Sequence, residues 1–210
     1  MTDLLDRLAD DAAPVKALTG RRFLATYGLG MGAALLIVAA TGFRQDLPIA
    51  ASDPMFLTKL LVTGALALPS AWLMWLSGRP GAQSGRGAHM VGLLALLLFA
   101  APLALAFAFD AEVASRDALR FDWAQFCVPI IALTTIPVWF ASLSWLRRAA
   151  PVNAERASWL AGLASASTGA LLFALHCPFD SLAYVAVWYF SSIIGLAALS
   201  RMIMPRFIRW

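Results

Sequence analysis

Six apolar runs, each close to the ~20 residues a helix needs to cross a bilayer core, constrain this chain more than any other feature. They lie at about 23–43, 56–77, 89–109, 124–146, 158–176 and 182–204. The stretches between them are too short to fold into an extramembrane domain with a core of its own. Hydrophobic residues make up 61% of the chain and charged residues 13%, against about 45–50% and about 25% in soluble domains. The expected fold is therefore an all-α polytopic membrane protein with six transmembrane helices. Its membrane domain covers 23–204, with a cytoplasmic segment 1–22 before it and a short basic tail 205–210 after it. The first run, Phe23 to Phe43, exceeds the ~7–15 residues of a secretory signal core.

Lys and Arg set the expected orientation. Arg7, Lys16, Arg21, Arg22, Arg79, Arg86, Arg147, Arg148, Arg156, Arg201, Arg206 and Arg209 fall on one side, twelve of the sixteen. Arg44, Arg116 and Arg120 fall on the other, with Lys59 just inside the second span. The positive-inside rule then places both termini in the cytoplasm. The outer connections carry Asp46, Asp53, Asp110, Glu112, Asp117, Asp122 and Asp180. The net charge of +4 reflects this orientation rather than nucleic-acid binding. There is no Cys/His finger spacing and no basic run interleaved with aromatics.

Before the first span, Thr2 is placed to cap a short helix, with Asp3 and Asp6 near the positive end of its dipole. Leu4, Leu5 and Leu8 share one face, Asp10 and Asp11 follow, and Pro14 ends the element. A short acidic helix with an apolar stripe suits a groove on a basic partner, whereas the plainer reading is a frayed leader.

Several features within the spans read as structural. Pro69, Pro102, Pro129 and Pro137 are expected to kink helices that their neighbours re-satisfy. Gly28-x-x-x-Gly32 and the face Gly162, Ala166, Gly169 and Ala170 are expected at close helix approaches. Trp72, Trp75, Trp123, Trp145 and Trp159 fall near span ends, as in interfacial belts. Lys59 is expected to snorkel outward from its span end. His89 belongs to the cytoplasmic end of the third span, away from Cys177.

The chain has two cysteines and two histidines. Cys127 to Arg147 and Ala157 to Cys177 are each 20 residues. At about 1.5 Å per residue, both thiols lie roughly 30 Å from the shared cytoplasmic loop, at the outer interface. Three readings stand side by side. They are a structural disulfide, two separately buried small hydrophobes, and a thiol sensor that is oxidised or metallated from outside. His176 and Asp180 could join Cys127 and Cys177 as ligands for zinc or a softer regulatory metal, the one cofactor expectation.

The stretch His176-Cys177-Pro178-Phe179-Asp180, with Val187-Trp188-Tyr189 and the ending Arg206-Phe207-Ile208-Arg209-Trp210, resembles the NrsF-type negative regulators of sigma F. So does the opening Asp3-Leu4-Leu5-Asp6-Arg7-Leu8-Ala9 with Ala12-Ala13-Pro14-Val15. The resemblance covers essentially the whole chain. It implies a bacterial inner-membrane anti-sigma factor, not an enzyme. Such a protein holds an extracytoplasmic-function (ECF) sigma factor and releases it under heavy-metal or oxidative stress. The family's paired cysteines carry over to Cys127 and Cys177, and Asp3, Leu4, Leu5, Asp6 and Leu8 would contact the partner. Two alternatives stand behind this reading. A thiol oxidoreductase coupled to quinone would want a second redox pair, and a small transporter would want charged groups at the bilayer midplane.

Overall fold

The computed structural model describes residues 19–79 and 85–208. All regular elements among them are helical. They are α1 (Gly20–Thr41), α2 (Leu47–Ala50), α3 (Pro54–Ser77), α4 (Gly85–Phe109), α5 (Ala111–Ala118), α6 (Phe121–Ala149) and α7 (Ala154–Phe173). Then follow α8 (Leu182–Tyr184), a π-helical turn at Val185–Tyr189, α9 (Phe190–Ile203) and α10 (Pro205–Ile208). The expected helix at residues 2–13, with Asp3, Leu4, Leu5, Asp6 and Leu8, lies outside the described residues.

Five helices are long and apolar enough to cross a membrane: α1, α3, α4, α6 and the continuous rod Leu182–Ile203. The remaining long helix, α7, stands at the centre of the bundle. It packs on α3, α6 and α9, with α1 against a further side, and fourteen of its twenty residues are buried. Its sequence suits that position. Alanine, glycine and serine let four neighbours close in, and a helix surrounded by protein need not be as apolar as one facing lipid. Its hydroxyls are satisfied internally. Ser158 and Ser165 donate to the carbonyls of Ala154 and Ala161, each at 2.6 Å. Tyr27 of α1 donates to the Ala164 carbonyl at 3.1 Å and lies 2.8 Å from the Thr168 hydroxyl.

Close approaches occur at specific glycines. A Cβ on Gly162 would lie 2.7 Å from the Ala197 Cα, and one on Gly169 would lie 2.9 Å from the Thr135 backbone nitrogen. Both belong to the small-residue face expected from the sequence. The Gly28-x-x-x-Gly32 expectation is overturned, because a Cβ at either position meets nothing within 4 Å. Gly30, between them, is the contact glycine. Its Cβ would lie 2.8 Å from the Ala141 Cβ and 3.0 Å from the Pro137 carbonyl. The helix simply presents the middle glycine to α6.

The two ends of the bundle differ in chemistry. At one end Gly20 meets Trp75, Gly78 meets Ala149, and Arg201 pairs with Glu155 at 3.5 Å. Arg147 and Arg148 complete α6 there, before Ala150 turns the chain with φ of 44°. Trp145, expected in an interfacial belt, is instead a core residue of this end, edge-on to Phe23 with ring centroids 5.2 Å apart. Trp72 and Trp123 remain exposed.

The opposite end holds both cysteines and is covered by α5. Asp110 caps α5 by accepting from the amides of Glu112 and Val113, while Glu112 and Arg116 match the helix dipole. Ala114 and Ala118 bury α5 against Ala183.

Candidate functional site

The segment between α7 and α8 positions the site. Pro178 has no amide hydrogen and pushes Cys177 into an extended conformation, so the chain after Phe173 leaves the helix. The carbonyls of Cys177 and Phe179 then both face Lys59 of α3, whose ammonium donates to each at 2.9 Å. The third Lys59 contact is the Asp180 carboxylate at 2.7 Å. All three ammonium hydrogens are thus used. The expectation that Lys59 snorkels outward is overturned, since the side chain is fully buried. Burying a charge without partners is costly, and this loop supplies three acceptors that make it tenable.

Arg44, just beyond α1, completes the network. One guanidinium nitrogen donates to both Asp180 oxygens, at 3.0 and 2.8 Å, and the other two nitrogens reach Asp46 at 2.7 and 2.8 Å. This fork holds the Asp46 carboxyl down at about 2 and raises the Arg44 guanidinium above its ordinary value. The Phe56 ring lies 5.0 Å from the guanidinium carbon and 5.7 Å from the Lys59 nitrogen. The backbone amide of Arg44 donates to the Leu175 carbonyl at 3.0 Å. His176 Nδ1 donates to the carbonyl of Gly42, whose φ of 96° favours glycine. The end of α1, the start of α3 and the 174–181 segment are thereby tied together.

The two thiols meet beneath this network. Cys127, on the second turn of α6, and Cys177 are both free and buried, and they belong to one core cluster; the Cys177 Sγ donates to the Phe179 carbonyl at 3.9 Å. The Cys177 thiol is held below the ordinary thiol range, chiefly by the neighbouring Cys127 thiol. Lys59 adds to this through its positive charge, and burial opposes it. Tyr184 and Tyr189 complete the pocket. Their hydroxyls are buried without a hydrogen-bond partner among the described residues, in the same core cluster as the two cysteines.

The π turn explains how two tyrosines five residues apart share one side. In an α-helix, positions i and i+5 diverge by about 140°. In a π turn the hydrogen bonds run from i to i+5, which brings such residues nearly into line. Phe179, met edge-on by Trp123 with centroids 4.7 Å apart and covered at 4.6 Å by Arg120, closes the top. Trp188 fixes α5 over the site through a 3.1 Å hydrogen bond to the Ala118 carbonyl.

Of the four residues suggested for a metal, the structure unites only Cys127 and Cys177. His176 is engaged by Gly42, and Asp180 is held between Arg44 and Lys59. Among the described residues no group of three or more His, Cys, Asp or Glu is arranged around one point. His89 lines a groove at the arginine-rich end, away from the thiols. Lys59, Arg44, Tyr184 and Tyr189 were not singled out from sequence as site residues. The available signals were a lysine inside an apolar run and a chain with only three tyrosines, two of them just after the second cysteine. Chemically, the pocket can convert two thiols to a disulfide, releasing two protons and two electrons to an oxidant.

A bundle of apolar helices with a buried thiol pair at one end and arginines at the other defines a helical membrane protein with an internal dithiol site. The chain belongs to the NrsF family: the family model described as negative regulator of sigma F matches residues 8–210. It is 31% identical to the probable anti-sigma-F factor NrsF of Azospira oryzae over 99% of this chain and 98% of that one. It is likewise 31% identical to the anti-sigma-F factor NrsF of Caulobacter vibrioides, with the same coverage. The family is one of regulators rather than enzymes. No solved structure matches the chain.

Proposed function

We propose that this protein is a membrane-bound anti-sigma factor. It holds an ECF sigma factor at the cytoplasmic face and releases it when the Cys127–Cys177 pair is oxidised. The names of the two relatives support a sigma-factor partner. The observation that carries the sensing role is the meeting of two reduced thiols, 50 positions apart in sequence, in one buried pocket beside Lys59. In this reading α7 is the sixth crossing. Its twenty residues match a bilayer core, and protein rather than lipid surrounds it. Both termini then lie in the cytoplasm of a bacterial inner membrane, a placement that the arginine distribution supports. The thiols face the outer side, where disulfides persist.

The partner contact is assigned to residues 2–13. Leu4, Leu5 and Leu8 would anchor the contact, while Asp3, Asp6, Asp10 and Asp11 would steer association with a basic surface. Full-length protein, tagged and extracted in detergent, should carry a soluble sigma factor identifiable by mass spectrometry. Replacing Leu5 and Leu8 by Ala together should weaken that association by about 2–4 kcal/mol. Deleting residues 2–13 should free the partner while a reporter fused after Trp210 still reads cytoplasm. A truncated protein that retains its partner at full strength moves the contact to the inner loops. A reporter that reads outside overturns the orientation.

A further inference from the structure

A groove of about 730 Å³ opens at the arginine-rich end of the bundle, remote from the thiols. One wall is α4, at Ala88, Gly92 and Leu93, and the other carries Arg156 and Trp159 of α7 with Arg201 of α9. It exists because α4 leans on α3 and barely touches α7, and Gly92 leaves its own wall bare, with nothing within 4 Å of where a Cβ would stand. We propose that this groove binds an anionic phospholipid, with the headgroup phosphate on Arg156 and Arg201 and the upper acyl chain along α4.

Charge and polarity both point to this ligand. Arg156 makes no ion pair among the described residues. Arg201 reaches Glu155 only at 3.5 Å with both side chains more than half exposed, and a pair of that kind rearranges at little cost. Two guanidiniums thus oppose one carboxylate at the mouth. Past them the lining becomes apolar within a single turn, at Trp159, Gly92 and Leu93. A soluble anion would use the first half of the site alone, whereas a lipid uses both. Tryptophan at headgroup depth and a basic crevice between helices on the cytoplasmic side are what such recognition needs. The inference is independent of the thiol reading.

The test is native mass spectrometry of the full-length protein titrated with phosphatidylglycerol or phosphatidylcholine. The wild type should prefer phosphatidylglycerol, and R156Q and R201Q should each reduce that preference by about fivefold, the effect of roughly one interfacial cation. Gly92→Leu, whose Cβ meets nothing within 4 Å, should reduce binding of both lipids without lowering the melting temperature. Equal binding of the two lipids overturns the proposal, as does a preference untouched by both arginine changes. Full competition by inorganic phosphate would show a headgroup-only anion site and would equally overturn it.

Discussion

Asp180 carries more of the site than either thiol does. It is the counter-charge for two buried cations, Lys59 and Arg44, whose side chains are almost entirely out of solvent. Removing one partner of a buried ionic network leaves uncompensated charge and costs about 3–5 kcal/mol. Asp180→Asn keeps the shape and should lower stability by about that amount, read from thermal unfolding in detergent. Asp46→Asn, at the exposed end of the same network, should cost well under half as much. Equal effects would mean the buried pairings contribute no more than the surface one. From sequence, Asp180 reads as a possible metal ligand because its carboxylate and the His176 imidazole would add oxygen and nitrogen donors to the two thiols. Its cationic partners stand 136 and 121 positions upstream, and only the fold shows that they claim it. The burial of Lys59 is hidden from the sequence for the same reason. Snorkelling is the ordinary answer for a lysine near a span end, and three acceptors on a distant loop make burial the better one.

At the scale of elements, the apolar runs specify the helices well, and the structural boundaries fall within a few residues of the expected spans. What a run cannot specify is which of its faces meets a neighbour. α1 shows this, since Gly28, Gly30 and Gly32 are equivalent by composition while Gly30 alone packs on α6. Gly30→Ala should destabilise the protein by about 1–3 kcal/mol through overpacking against Ala141 and Pro137. Gly28→Ala and Gly32→Ala should be neutral or slightly stabilising, because alanine suits a helix better than glycine and meets no atom here. Thermal unfolding of the three variants decides the matter. A Gly28→Ala loss equal to that of Gly30→Ala would contradict the α1–α6 packing. The π turn is likewise illegible in the sequence, because Val185–Tyr189 reads as an ordinary apolar helix and only the buried Tyr184 and Tyr189 at its two ends mark the register change. By contrast the sequence of α5 marks a helix, with an Asp cap, an early Glu and a late Arg.

At the scale of the whole molecule, the thiol pocket and the arginine-rich face stand at opposite ends of helices that pack on α7. Cys127 lies on the second turn of α6 and Arg147 and Arg148 on its last, while Tyr184 and Tyr189 precede α9 and Arg201 lies on its last turn. A change at the thiols is therefore applied directly to two of the rods that reach the far face. Disulfide formation would join Cys127 to Cys177 in the core cluster they share with Tyr184 and Tyr189, which stand at the two ends of the π turn. Shifting the register of that turn is a two-state event of the kind that can loosen a partner 30 Å or so away, about one bilayer core. The central claim is that thiol redox state governs the hold on the sigma factor. Its most direct test is the fraction of sigma factor that stays on the full-length, detergent-extracted protein under dithiothreitol and under diamide. The account predicts retention in reductant, release in oxidant, and retention under both conditions once Cys127 and Cys177 are replaced by Ser. Equal retention by the native protein under both conditions, or oxidant release from the double-serine variant, would contradict it.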